Sequence, residues 1–193
     1  MSKYYVPKRG KCIMIRCKWC NLKNEKYIEY HDKEWCKPNF EDKYLFEMLI
    51  LESFQAGLSW ECVLNKRENF RKAFDNFDVE KICNYNDGKI QELLKNEKII
   101  RNKLKINAAI NNSKIFKKIQ NEYGTFHNYL KTFTNDVIIY EIDKTTNKLS
   151  DNLSKDLQKS GMKFVGSTII YSYLQAIGII YSHDKECFMY KNN

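Results

Sequence analysis

Two prolines and seven glycines in 193 residues leave this chain few places to break a helix. Both residues punctuate regular structure, so a chain this poor in them is expected to be mostly helical. Asp42 is read as the N-cap of a helix through Tyr44, Leu45, Phe46, Met48, Leu49, Ile50 and Leu51, ending near Gly57. Ser59 caps the next, with Val63, Leu64, Phe70, Ala73 and Phe74 on its buried side. Asp78 starts a short helix through Ile82, and Asp87 another through Ile90, Leu93 and Leu94. A long helix follows Arg101, with Leu104, Ala108, Ile115 and Ile119 on one stripe, and stops before Gly124. Thr125 caps a helix to Phe133, Ser150 caps one that stops at Gly161, and Ser167 opens the last, which stops at Gly178. Residues 135–148 are the least regular. Val137, Ile138, Ile139 and Tyr140 have strand character, but the whole stretch is read as a surface-crossing loop. The expected architecture is an all-α bundle with short connections.

The chain is long enough to bury a core without disulfides. Its seven cysteines are odd in number and irregularly spaced, and the basic start, with Lys3, Lys8, Arg9 and Lys11, leads into no apolar stretch. Reduced thiols and a cytoplasmic setting are therefore expected. No apolar run approaches the ~20 residues that span a bilayer, so no membrane partner is expected. The formal net charge of +9 points to an anionic partner, with nucleic acid the commonest; a Lys- and Asn-rich composition also arises from AT-rich coding. The charge is concentrated. Between Lys95 and Lys118 eight basic residues face the single acid Glu97, a net +7, and the first part of this run crosses a helix–turn–helix junction. Backbone amides at such a junction can cradle a phosphate. The second part reads equally as a solvated helix face, and a membrane-surface helix would need an apolar opposite face that is missing.

Three further groups carry chemistry. Cys17 and His31 near the start and His183 and Cys187 near the end form a possible Cys2His2 metal set, the closed structural type. The last pair has the four-residue spacing that points both side chains one way on a helical turn. A rival set uses the Cys17 and Cys20 pair, while Cys12, Cys36, Cys62 and Cys83 read as small buried hydrophobes or incidental thiols. Glu52 falls on the same helical face as Leu45, Met48 and Leu49, where a carboxylate is costly unless paired. Its partner is either a structural Lys or Arg, or a ligand. Tyr27, Tyr30, Trp35 and Trp60 flank His31 and Glu52 in sequence, which suits either core packing or a site for a flipped cationic base.

Five stretches together resemble the 3-methyladenine DNA glycosylase I family. They are Arg16-Cys17-Lys18-Trp19, Tyr27-Ile28-Glu29-Tyr30-His31-Asp32-Lys33-Glu34-Trp35, Gln55-Ala56-Gly57-Leu58-Ser59-Trp60, Val63-Leu64-Asn65-Lys66-Arg67-Glu68-Asn69-Phe70 and Lys163-Phe164-Val165-Gly166-Ser167-Thr168-Ile169. The match runs from about Arg16 to Cys187, so residues 1–15 are read as an extension and residues 16–193 as one two-lobed glycosylase domain. The resemblance implies an all-α helix–hairpin–helix glycosylase fold with a zinc clamp on Cys17, His31, His183 and Cys187 tying the termini together. It places base recognition and catalysis on Glu52, stacking on Tyr30 and Trp60, and Trp35 and Tyr27 near the pocket. It sets the hairpin at residues 96–102, where Lys98, Arg101 and Lys103 would contact DNA. The implied reaction is monofunctional release of 3-methyladenine from double-stranded alkylated DNA by a monomer. Three positions depart from the family pattern: Lys98, Cys36 and Ser53 stand where glycines are usual. Lys98 would strain a turn that needs positive φ, and the other two would reshape the pocket. A zinc-bearing DNA-binding module without catalysis, and a glycosylase of shifted specificity, are the alternative readings.

Overall fold

Leu45 to Phe54 are all buried, so the helix that carries them has no solvent face and forms the axis of the molecule. A computed structural model describes residues 4–5 and 13–191. Cys12, and residues 1–3 and 6–12 of the expected extension, lie outside them. The helices are α1 (Glu25–Lys33), α2 (Asp42–Gln55), α3 (Trp60–Asn65), α4 (Arg67–Ala73), α5 (Val79–Cys83), α6 (Asp87–Lys95), α7 (Lys103–Tyr123), α8 (Phe126–Thr134), α9 (Lys148–Lys159) and α10 (Ser167–Ala176). The axial helix is α2, and α3, α7, α8 and α10 pack on it. The chain is mostly helical, as expected, with two minimal sheets: β1 (Tyr4–Tyr5) antiparallel to β2 (Ile13–Met14), and β3 (Ile139–Tyr140) parallel to β4 (Ile180–Tyr181).

Several local expectations are corrected. Residues 139–140 are not loop: Ile139 pairs with Ile180 and Tyr140 with Tyr181. A two-residue strand is too short to show a period, and its partner lies about forty residues away. The single helix expected from Ser59 to Phe74 is two, hinged at Lys66. Asp42 is the first residue of α2 rather than its cap, and its carboxylate accepts from the Phe126 N–H at the start of α8 (3.0 Å) and from Gln120 Nε2. Asn147 caps α9, with Ser150 as the reciprocal member of a capping box. Asp87 starts α6 as expected, with Asn86 as its cap, and Ser167 opens α10 as expected. Ser59, Asp78 and Thr125 cap as expected. On α7 Ala108 and Ile119 are buried and Ile115 packs on the core as expected, but Leu104 is 70% exposed and Lys105 is buried. Gly178 ends the last helix at φ +80, where a Cβ would meet the Lys37 carbonyl carbon at 2.3 Å. No helix is long and apolar enough to cross a membrane among the described residues.

Candidate functional site

Helix α2 buries two carboxylates, and the contrast between them locates the site. Glu47 is neutralised in place: Arg67 Nε donates to it at 2.6 Å and Arg71 Nη2 lies 2.8 Å away. Glu52, one and a half turns later, is 2% exposed and has no hydrogen bond or ion pair among the described residues; its Oε2 is buried without a partner. The structural ion pair left open by sequence is therefore not formed. Desolvation alone pushes the Glu52 carboxyl well above its ordinary range, which favours its protonated form.

The unpaired carboxyl faces a cavity of about 310 Å³. Tyr27, Tyr30, Trp35 and Trp60 line it, together with Trp19, which sequence reasoning placed in a motif but not in the pocket. Trp19 packs edge-on to Tyr27 (centroids 5.1 Å apart) and Trp35 (4.7 Å). Tyr30 and Trp60 touch each other, with centroids 5.4 Å apart and planes tilted by 52°. Holding a base between them would need roughly 7 Å, two contact distances, so they form one aromatic wall. Burial pushes Tyr27 up to about 12 and Tyr30 well above its ordinary value, which keeps both phenols neutral. The polar part of the lining was missed: Gln55 on α2, Ser172 and Gln175 on α10, and Asp143 and Lys144 after β3. No sequence signal singles out Ser172 or Gln175, because their three-residue spacing matters only once α10 packs beside α2.

Next to this pocket the four expected metal ligands converge. Cys17, His31, His183 and Cys187 are all buried, with their ligand atoms within 4.8 Å of one another. Cys17 Sγ lies 3.4 Å from His183 Nδ1, and Cys187 Sγ lies 3.5 Å from His31 Nε2 and 3.6 Å from His183 Nδ1. Hydrogen bonding between the two thiols holds Cys187 far below its ordinary value and drives Cys17 above it. A cation that binds both sulfurs displaces their protons. The backbone N–H groups of Asp184 and Met189 donate to the two sulfurs. His31 Nδ1 is 2.8 Å from Asp32 Oδ1, and Arg16 grips the same carboxylate from Nε and Nη2. Burial alone would raise Asp32, but the bonds from Arg16 and His31 outweigh it and hold it below its ordinary value. His183 has no such support, since its Nε2 is buried without a partner. Cys20 is not in the set; its thiol turns to the Tyr27 carbonyl, which removes the rival grouping. The tetrad and the pocket share a scaffold: Trp35 stacks on His31 and meets His183 edge-on at 4.7 Å.

The basic junction between α6 and α7 is an exposed turn. Lys98, Arg101 and Lys103 are all exposed, Arg101 in a surface pair with Glu97. The Lys98 N–H donates to Asn96 Oδ1, and Asn102 caps α7 by accepting from the Lys105 N–H.

Residues 19–190 match the sequence profile of the methyladenine glycosylase family. The chain belongs to that family. DNA-3-methyladenine glycosylase 1 of Escherichia coli (strain K12) is 40% identical over 187 residues, which are 93% of this chain and 99% of that protein. A crystal structure of a 3-methyladenine DNA glycosylase I superposes with a TM-score of 0.88 at 38% identity, covering 92% of this chain and all of the other. A variant of such an enzyme in complex with 3-methyladenine gives 0.87 at 32% identity, over 93% and 100% of the two chains.

Within the methyladenine glycosylase frame, the three departures from glycine have different consequences. Lys98 does not adopt a positive φ, so the turn carries no strain there. Cys36 does, at φ 59, a conformation that costs of order 1 kcal/mol without glycine. Its thiol accepts from the Ser182 N–H and its N–H donates to the Gln175 carbonyl, bonds that hold it there. Ser53 bonds back to the Leu49 carbonyl at 2.8 Å. Neither Cys36 nor Ser53 lines the cavity, so the expected change in pocket shape does not follow from them.

Proposed function

We propose that this methyladenine glycosylase hydrolyses the N-glycosidic bond of 3-methyladenine in alkylated double-stranded DNA and leaves an abasic site. The observation that carries the reading is Glu52: a buried, unpartnered carboxyl facing an aromatic cavity. A pocket for phosphate or for apolar ligands has no use for that group. A cationic methylated base supplies both an amino donor and delocalised positive charge, and the aromatic wall adds cation–π attraction. On its arrival Glu52 releases its proton to solvent water and becomes the counter-charge. The base is extruded into the site, where Tyr30 and Trp60 form its stacking wall and Tyr27 and Trp35 enclose it. The N9–C1′ bond then breaks, its electron pair neutralises the base, and water adds to C1′ with loss of a proton. The substrate's own charge makes it a good leaving group, so capture rather than acid catalysis is the enzyme's main task. Among the described residues no amine nucleophile lines the cavity besides Lys144, which is held by Glu141 at 2.7 Å, and this supports a monofunctional enzyme.

The tetrad is the proposed zinc clamp. Tetrahedral zinc with bonds of about 2.3 Å to sulfur and 2.05 Å to nitrogen sets each sulfur–nitrogen edge near 3.5 Å; three of the four edges here measure 3.4, 3.5 and 3.6 Å. Zinc in such a closed set supplies structure, not a reactive water. Its thiolates suit a reducing cytoplasm. Residues 16–193 are the proposed helix–hairpin–helix glycosylase domain, acting as a monomer, with residues 1–15 as an extension.

The activity is tested by incubating the protein with duplex DNA treated with a methylating agent and identifying the released base. Free 3-methyladenine and unbroken strands with abasic sites are expected; a different base, or none, overturns the reading. The same duplexes test the hairpin. Lys98→Glu and Arg101→Glu are expected to weaken binding to every duplex and to lower the salt slope by about one per lost contact. Unchanged affinity at low salt would place the phosphate contacts elsewhere.

A further inference from the structure

Helix α2 ends at Gln55 with no basic residue in its last turn, directly before the turn that leads from Glu52 to Trp60. The carbonyls of such an end need donors from elsewhere. Lys105, on the first turn of α7, supplies them: its Nζ donates to the Phe54 carbonyl at 2.8 Å and the Ala56 carbonyl at 2.5 Å. Lys105 is 7% exposed and forms no ion pair among the described residues. A buried ammonium without a counter-ion is expensive, and here the negative end of α2 is what rewards it. Its neighbour shows how far the packing goes to achieve this. Leu104 is 70% exposed, so α7 is turned to bury the lysine and leave the leucine in solvent. A second lysine makes the reverse connection: Lys66, just beyond α3, donates to the carbonyls of Glu97 and Lys98 in the hairpin (3.4 and 3.3 Å). The pocket segment 52–66 and the hairpin segment 96–105 are thus laced by two lysines, each bonded to main-chain carbonyls of the other segment.

We propose that Lys105 is a positioning residue: it holds the turn between Glu52 and Trp60 in register with the hairpin, so that docking the hairpin on the phosphate backbone sets the pocket against the base to be extruded. The proposal rests on the glycosylase reading above. Lys105 is buried and does not line the cavity, so its loss should separate the rate of excision from the strength of binding.

The test compares wild type with Lys105→Met and Lys105→Arg in single-turnover excision from methylated duplex, in binding of undamaged duplex, and in amide hydrogen exchange. Lys105→Met is expected to slow excision about ten- to a hundredfold, the effect of a small misplacement of reacting groups. Affinity for undamaged duplex should change by less than about threefold, and exchange should quicken at residues 55–60 without spreading through α7. Lys105→Arg, which keeps a cationic donor, should recover most of the rate. If Lys105→Met does not fold, Lys105→Gln keeps one donor on a shorter stem and should show the same pattern in weaker form. A folded Met variant with wild-type excision and unchanged exchange overturns the proposal, as does equal loss of rate and duplex affinity. Wild-type release of 3-methyladenine judges the glycosylase reading separately; should wild type release no base, the exchange comparison alone decides the role of Lys105.

Discussion

Cys187→Ala is expected to abolish binding of the proposed zinc and to lower the melting temperature by roughly 10–20 °C. The estimate follows from chain entropy. The four ligands join residues 17 and 31 to residues 183 and 187, so the clamp closes a loop of most of the chain. Closing a loop of this length stabilises a fold by about 4–5 kcal/mol when treated as a cross-link. For a domain of this size each kcal/mol moves the melting temperature by roughly 2–4 °C. The pocket should suffer with the clamp, because Trp35 rests on both His31 and His183, and Asp184 donates its N–H to Cys17 Sγ while lining the cavity. Elemental analysis and a thermal melt of wild type and variant check the expectation. Wild-type protein that holds no zinc, or a variant that melts at the wild-type temperature, would sink the clamp.

Glu52→Gln is expected to weaken binding of free 3-methyladenine and to slow excision by about ten- to a hundredfold, the loss of one charge-assisted contact worth roughly 1.5–3 kcal/mol. Affinity for undamaged duplex should stay nearly constant, since the hairpin is unaltered. Stability should move the other way. The folded Glu52 carboxyl titrates well above its ordinary 4.5, so the unfolded chain releases this proton first as pH rises. Below about pH 4.5 the group imposes no penalty; between that value and its raised folded value the penalty grows, and above the latter it is complete. Removing the charge therefore stabilises the protein at neutral and alkaline pH and has little effect in acid. Melting curves at pH 4 and pH 8 read this difference, and a base-binding titration reads the other. A variant that melts lower at both pH values and binds the base normally would make Glu52 structural.

The helical class was legible because it needs only local information: few breakers, apolar spacing and capping side chains at Ser59, Asp78 and Thr125. The Cys17, His31, His183 and Cys187 set and the aromatics around Glu52 could be singled out by residue type and spacing, and the resemblance named the same residues, but neither placed them together. Tertiary structure alone brought the tetrad within 4.8 Å across the length of the chain. It alone decided between the two fates of a buried carboxylate on α2, pairing Glu47 with Arg67 and Arg71 while leaving Glu52 unpartnered. The periodicity of α2 is the same around both. Which one is neutralised depends on α4, whose arginines reach Glu47 and stop there. The same holds for Lys105. Its sequence neighbours read as an apolar stripe through Leu104, yet α7 buries the lysine because the open carbonyl end of α2 lies across from it. Periodicity records which residues share a face. Whether a charge on that face is buried depends on partners brought in by other helices, and that is information the local sequence does not contain.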